Sequence, residues 1–207
     1  MNPSPFELIA GELCLELANT VGGTRSGVAR EKLPTYAEAL EWAGQAGLLL
    51  DRQKEALAAE ARRHPSAAAA VHRRALVLRE AIFEIFAAIA RGQAPAAERL
   101  SELNAELGVA LAHSCVAPQH GCFTWIWVAE GVELDCVLWP VAKSAADLLT
   151  NASRLARVRE CCSETCGWLF LDTTKNRSRC WCEMKSCGNA AKVRRFRQRR
   201  RAEPSGG

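Results

Sequence analysis

Histidine and aromatic hydroxyls are scarce in this chain: four histidines and one tyrosine in 207 residues. His64, His72, His113 and His120 lie too far apart to suggest a catalytic imidazole site, and neither an H-E-x-x-H nor a nucleophile-elbow motif occurs. The Gly-rich stretch 21–30 (VGGTRSGVAR) lacks the G-K-[ST] ending of a phosphate-binding loop and a clear preceding strand, so it reads as a flexible connection. No apolar run approaches the ~20 residues that span a bilayer. The opening residues lack a basic leader region, and Glu7, Glu12 and Glu16 interrupt the apolar stretch that follows. These absences argue against an enzyme, a nucleotide-binding protein and a membrane protein, and they place the expected location in the reducing cytoplasm.

Cysteine, by contrast, is plentiful, with ten residues. In a reducing compartment clustered cysteines serve as metal ligands more often than as disulfides. Cys161, Cys166, Cys182 and Cys187 form two C-x4-C pairs with fifteen residues between them. A structural zinc ion takes four thiolate or imidazole ligands, commonly as two close pairs brought together by a hairpin. Cys162 and Cys180 offer alternative spacings that the pattern alone leaves open; beside a cationic metal site their thiols are expected to have lowered pKa values if exposed. Cys14, Cys115, Cys122 and Cys136 sit among apolar residues and are expected to be small buried hydrophobes.

Charge is unevenly distributed. Residues 154–201 carry fourteen Lys/Arg against four Asp/Glu, whereas residues 1–153 carry thirteen against eighteen. An acidic body therefore precedes a basic contact surface. From Asn189, a good helix cap, strong helix formers continue without a breaker. Lys192, Arg194, Arg195, Arg197, Arg199, Arg200 and Arg201 surround most of that helix, leaving Val193 and Phe196 to pack on the metal module. Seven cations without an acid repel one another, and a phosphate backbone relieves that repulsion.

Periodicity predicts a mainly helical N-terminal part. Residues 6–20 lead into a helix, Thr35 caps a helix over 35–50, and further helices cover 51–63, 66–90 with Ser66 as cap, and 95–107 before Gly108. Phe123, Trp125 and Trp127 alternate, Glu130-Gly131 turns, and Leu134, Cys136 and Leu138 alternate again, which predicts a β-hairpin. Pro140 then opens a helix running to about residue 157. In the metal module, Trp168 to Leu171 reads as a strand and Arg179 to Cys182 as its partner, with Trp168, Phe170 and Trp181 as a miniature core. The expected class is α+β, with a mainly helical domain over 1–153, a small four-cysteine zinc finger over 154–201 made of a hairpin and the basic helix, and a disordered tail over 202–207.

At these residues the sequence resembles the bacterial CGNR zinc-finger family. The pattern appears as Arg159-Glu160-Cys161, Cys166-Gly167-Trp168-Leu169-Phe170-Leu171-Asp172, Asn176-Arg177-Ser178-Arg179, Trp181-Cys182 and Cys187-Gly188-Asn189. Residues 11–20 (GELCLELANT) and Arg30-Glu31-Lys32-Leu33 resemble the opening of the ABATE domain that usually accompanies this finger. The resemblance implies a stress-induced transcription regulator and places the family's four ligands on Cys161, Cys166, Cys182 and Cys187. Two positions depart from the pattern: Ala190 stands where the signature closes on arginine, and Cys180 where a basic residue is common.

The resulting expectation is a DNA-binding regulator with one structural zinc and no catalytic residues, contacting double-stranded DNA through the finger. The N-terminal domain is expected to sense a small-molecule effector or to form a homodimer, and Glu16, Asn19, Thr20 and Arg30 are the candidate effector residues. An RNA-binding protein, with Trp168 or Trp181 stacking on bases, and a protein-interaction module docking the basic helix on an acidic partner are the competing readings.

Overall fold

The computed structural model describes residues 6–23 and 29–202, apart from the side chains at 195, 196 and 198–202. In chain order the elements are α1 (Leu13–Ala18), β1 (Val21–Gly22), β2 (Arg30–Glu31), α2 (Tyr36–Gln45), α3 (Asp51–Arg63), α4 (Pro65–Ala90) and α5 (Ala97–Ala112), followed by β3 (Ser114–Gln119), β4 (Cys122–Trp127), α6 (Leu138–Thr150), α7 (Ala152–Leu155), β5 (Val158–Glu160) and β6 (Leu169–Leu171). A π-helical turn (Met184–Gly188) then runs into α8 (Asn189–Ala202). The class is α+β: among the described residues there are a mainly helical body, three two-stranded antiparallel ladders and a C-terminal four-cysteine cluster.

Helix α4 carries the longest apolar stripe and is the axis of the body. Val71, Ala75, Leu78, Ile82, Ile85 and Phe86 are buried along it, and α1, α5 and α6 pack against them through Leu15, Leu17, Leu103, Val141 and Leu148. Each such Val, Leu, Ile or Phe burial stabilises by roughly 1.5–3 kcal/mol relative to exposure. The helix starts on Pro65, with His64 at the cap position in place of the expected Ser66, because proline at the first helical position gives up no backbone hydrogen bond. Thr35 does cap α2, accepting from Ala37 N at 3.1 Å while Glu38 accepts from Thr35 N at 3.0 Å. That helix ends at Gln45, earlier than expected, and the chain turns at Gly47 with φ +77°. Helix α5 continues through Gly108 to Ala112, since nothing in that open position requires a stop.

The first hairpin differs from the sequence expectation. Strand β4 pairs with the preceding segment 114–119, around a tight turn in which His120 (φ 46°) and Gly121 (φ 82°) both take left-handed conformations. This is the hairpin geometry whose twist matches the flanking strands. Residues 134 and 136 form no strand, and Leu138 begins α6. Alternation in a sequence does not say which neighbour supplies the partner. Here the two-residue turn did.

Polar groups join the layers. Arg79, 5% exposed, donates to both carboxylate oxygens of Glu31 at 2.7 and 2.8 Å, tying α4 to β2. Asn19 is buried beyond α1 and bonds the Leu169 backbone twice, Nδ2 to the carbonyl at 2.8 Å and Oδ1 from the amide at 2.9 Å. Leu171 N donates to Ala10 O at 2.7 Å. Strand β6 is thereby fastened to the N-terminal segment, and Val158, Leu169 and Leu171 complete the same core as the helices.

Asn19→Ala leaves a buried amide and a buried carbonyl without partners, so it is expected to cost about 2–4 kcal/mol in urea unfolding. Lys54→Ala, which removes only a surface ion pair with Glu41, is expected to stay within about 0.5 kcal/mol of the parent.

Candidate metal centre and basic helix

The chain segment around Cys161 is shaped by β5 and β6. Val158, Arg159 and Glu160 pair with Leu171, Phe170 and Leu169, and Cys161 N donates to Trp168 O at 2.8 Å. The partner of the Trp168–Leu171 strand is therefore the segment before the first cysteine, and residues 179–182 form no strand. Glu160, next to Cys161, is gripped by Arg91 at the end of α4 through two 2.8 Å bonds.

The return of the chain rests on Asp172, fully buried, which the sequence reading did not single out. One carboxylate oxygen accepts from Thr174 N and Thr174 Oγ1 at 2.9 and 2.6 Å, the other from Arg179 N at 3.0 Å. Burial raises its pKa, but these hydrogen bonds outweigh burial and hold it below the usual aspartate range. Arg179 then stacks its guanidinium over the Phe170 ring at 4.5 Å and donates to the carbonyls of Trp181 and Cys182. Its signal in the sequence was its place in the N-R-S-R motif. There it was expected to open the second strand of the hairpin.

Cys161, Cys166, Cys182 and Cys187 converge, with all four Sγ atoms within 4.8 Å of one another. Cys166 and Cys182 are 3.7 Å apart and Cys182 and Cys187 3.6 Å. A tetrahedron with Zn–S bonds of ~2.3 Å has an S···S edge of ~3.8 Å, so the donor set fits a zinc ion in both chemistry and spacing. Hydrogen bonds from Cys166 and Cys182 hold the Cys161 thiol far below its usual range, while the bond with Cys161 pushes Cys166 up to about 12 and raises Cys182 as well. Thiolates packed this closely repel one another. A dication replaces the shared protons and removes the conflict.

The extra pair, Cys162 and Cys180, is exposed and lies outside this cluster, with Cys162 N donating to Cys180 O at 2.9 Å. The Cys162 thiol is pushed up to about 11, by desolvation and by its hydrogen bond with Cys180. Cys14 is buried and Cys136 half-buried, but Cys115 and Cys122 are exposed on the β3–β4 hairpin, against expectation.

Trp168 is buried and donates its Nε1 to Val21 O at 2.8 Å; together with Phe170 it lies against Cys161 and Cys182, with Trp181 packed alongside. Asn189 is not the helix cap. It already has helical dihedrals, and its side chain bonds Lys185 O at 3.1 Å, because the helix is entered through the π-turn that carries Cys187. The fourth thiol thus stands on the turn that starts α8. Lys192 and Arg197 are exposed, and Arg194 is half-buried, 3.4 Å from Glu164. Val193 is 49% exposed and does not pack on the finger as expected. The side chains of Arg195, Phe196, Arg199, Arg200 and Arg201 lie outside the described residues, as does the tail from 203.

Of the candidate effector residues, Glu16 accepts from the backbone of Ile9, Ala10 and Gly11, Asn19 holds Leu169, and the Thr20 hydroxyl donates to Leu17 O. They are brought together as joints of the N-terminal segment. Arg30 is exposed and, unlike the other three, lines a cavity of about 480 Å3 with Glu7, Lys32 and Glu38. A larger cavity of about 580 Å3 lies between α2, α3 and α4, lined by Pro34, Tyr36, Leu40, Ala58, Ala68 and His72. The histidines are dispersed: His64 beside Glu60, His72 on Leu33 O, His113 stacked on Trp139 and His120 in the hairpin turn. Among the described residues no helix is long and apolar enough to cross a membrane.

Metal analysis of the purified protein is expected to give one zinc per chain. Cys187→Ser and Cys161→Ser should lose it and unfold the finger, because zinc supplies on the order of 10 kcal/mol to modules of this kind, whereas Cys162→Ser and Cys180→Ser should retain it.

Residues 11–152 match the ABATE family model, whose description is "Putative stress-induced transcription regulator", and residues 157–200 match the CGNR zinc finger. No curated protein matches the chain.

Proposed function

The chain belongs to the ABATE family and carries a CGNR zinc finger after that domain, and from that premise we propose that it is a DNA-binding transcription regulator responding to stress. Its two families are of regulator and zinc-finger type, not enzyme families. In this reading Cys161, Cys166, Cys182 and Cys187 hold one structural zinc, and four thiolates close the coordination shell, leaving no position for a substrate.

The observation that carries the reading is the junction of metal site and helix. The last thiol sits on the turn that opens α8, a helix of seven cations and no acid. Zinc binding therefore fixes where the positive charge starts and the direction in which it projects. Lys192, Arg194, Arg195, Arg197, Arg199, Arg200 and Arg201 then contact phosphates, and the net charge of the preceding body, negative over 1–153, keeps the polyanion at the finger. The exposed Ala190, where the family has arginine, withdraws one such contact. Burial of Trp168, with its indole N–H already bonded, speaks against the RNA reading in which that ring stacks on bases.

Binding to duplex DNA is expected to be dominated by phosphates. With roughly five phosphates neutralised, log affinity should fall with log salt at a slope of about −4 to −5, measurable by fluorescence anisotropy. Arg195→Glu with Arg199→Glu should abolish most binding while zinc content stays at one per chain. A salt-independent affinity, or no binding at low salt with zinc loaded, would turn the basic helix into a protein-docking element.

A further inference from the structure

The most exposed apolar surface of the described residues is the β3–β4 hairpin. Phe123 is 76% exposed, Val116 56%, Trp125 53%, Val128 48%, Ile126 39% and Trp127 37%. No Asp, Glu, Lys or Arg occurs from Leu107 to Ala129, although charged side chains are the usual protection of a free strand. The two strands pair only with each other, and a lone two-stranded sheet is marginal in water. Its side chains lean on the body at one end, with Trp127 6.2 Å from Trp139 and Lys143 over the Trp125 ring at 5.5 Å.

The register decides which edge is usable. Val128 N donates to His113 O at 2.7 Å, so in the antiparallel alternation Ile126 and Thr124 also bond inward to β3, while Phe123, Trp125 and Trp127 turn their amides and carbonyls outward. On β3 the outward positions are Ser114, Val116 and Pro118. Proline has no N–H to offer, which blocks that edge. Strand β4 has neither a proline nor a charge. Its outward backbone groups and its three aromatic side chains belong to the same residues.

We infer that β4 is the contact strand of a homodimer, pairing antiparallel with β4 of a second copy about a two-fold axis at Trp125. Such pairing is self-complementary, as an isologous interface requires. Trp125 meets its own counterpart, Phe123 faces the second copy's Trp127, and the two hairpins become one four-stranded sheet. The three aromatics lie on one face of that sheet and form cross-strand pairs, each favourable by a fraction of a kcal/mol to about 1 kcal/mol. The exposed parts of Phe123, Trp125 and Trp127 amount to roughly 400 Å2 per protomer, about half of the ~800 Å2 per partner of a standard interface, to which the outward backbone of β4 adds. A neutral patch is also where two bodies of net negative charge approach at least electrostatic cost. The occupant is a second copy, because the strand's pattern of outward donors, acceptors and rings is matched by itself.

The test is sedimentation equilibrium of the full, zinc-loaded chain with amide hydrogen exchange. A dimer is expected at roughly micromolar concentration, with the amides of Phe123, Trp125 and Trp127 protected as concentration rises and those of Ser114 and Val116 unchanged. Phe123→Lys, which alters a side chain that packs on little, and Trp125→Lys should each weaken the dimer at least 100-fold while circular dichroism and zinc content stay those of the parent. A parent that remains monomeric overturns the inference, as does a dimer that survives Phe123→Lys or protects other amides. DNA binding by single fingers is independent of this outcome, so a monomer that still binds DNA rejects the dimer and leaves the proposed function standing.

Discussion

Between Trp168 and Leu171 the two-residue period of a β-strand sends alternate side chains into different cores. Leu169 and Leu171 enter the core of the helical body, while Trp168 and Phe170 back the thiol cluster. The backbone of the same strand is held by Asn19 on one side and β5 on the other. A segment this short therefore fixes the metal site relative to the body, and neither core is complete without it. The finger is not a bead on a linker. Its scaffold is partly the N-terminal segment.

That arrangement explains the work of the polar residues around it. Arg91 holds Glu160 beside Cys161, Asp172 gathers Thr174 and Arg179, and Arg179 carries the restraint on to the carbonyls of Trp181 and Cys182. Asp172 and Arg179 anchor backbone that forms no regular structure, and Arg91 anchors the end of β5. In a module with few buried side chains, hydrogen bonds to backbone and a metal substitute for hydrophobic mass. The basic helix inherits its position from this chain of restraints through Cys187.

The helices of the body were legible in the sequence because a 3.6-residue apolar period is a local signal, and α4 with its stripe from Val71 to Phe86 illustrates it. Thr35 was legible as a cap for the same reason. Pairing was not. The partner of Trp125 could lie before or after it, and the partner of Phe170 before Cys161 or after Ser178; in both cases the chain took the earlier segment. Asn19 and Thr20, which looked available to a ligand, are occupied internally by partners such as Leu169, 150 residues away in sequence.

The sequence by itself determined the metal-binding chemistry and the charge: thiol spacing and an acid-free run of cations are properties of order along the chain. Only the tertiary structure decided that Cys162 and Cys180 stand outside the thiol cluster, that the helix is entered through a π-turn with Val193 facing outward, and that a hairpin of aromatics stands open. Those outcomes depend on which distant segments meet, and backbone hydrogen bonding carries no residue code by which a sequence could announce its partner.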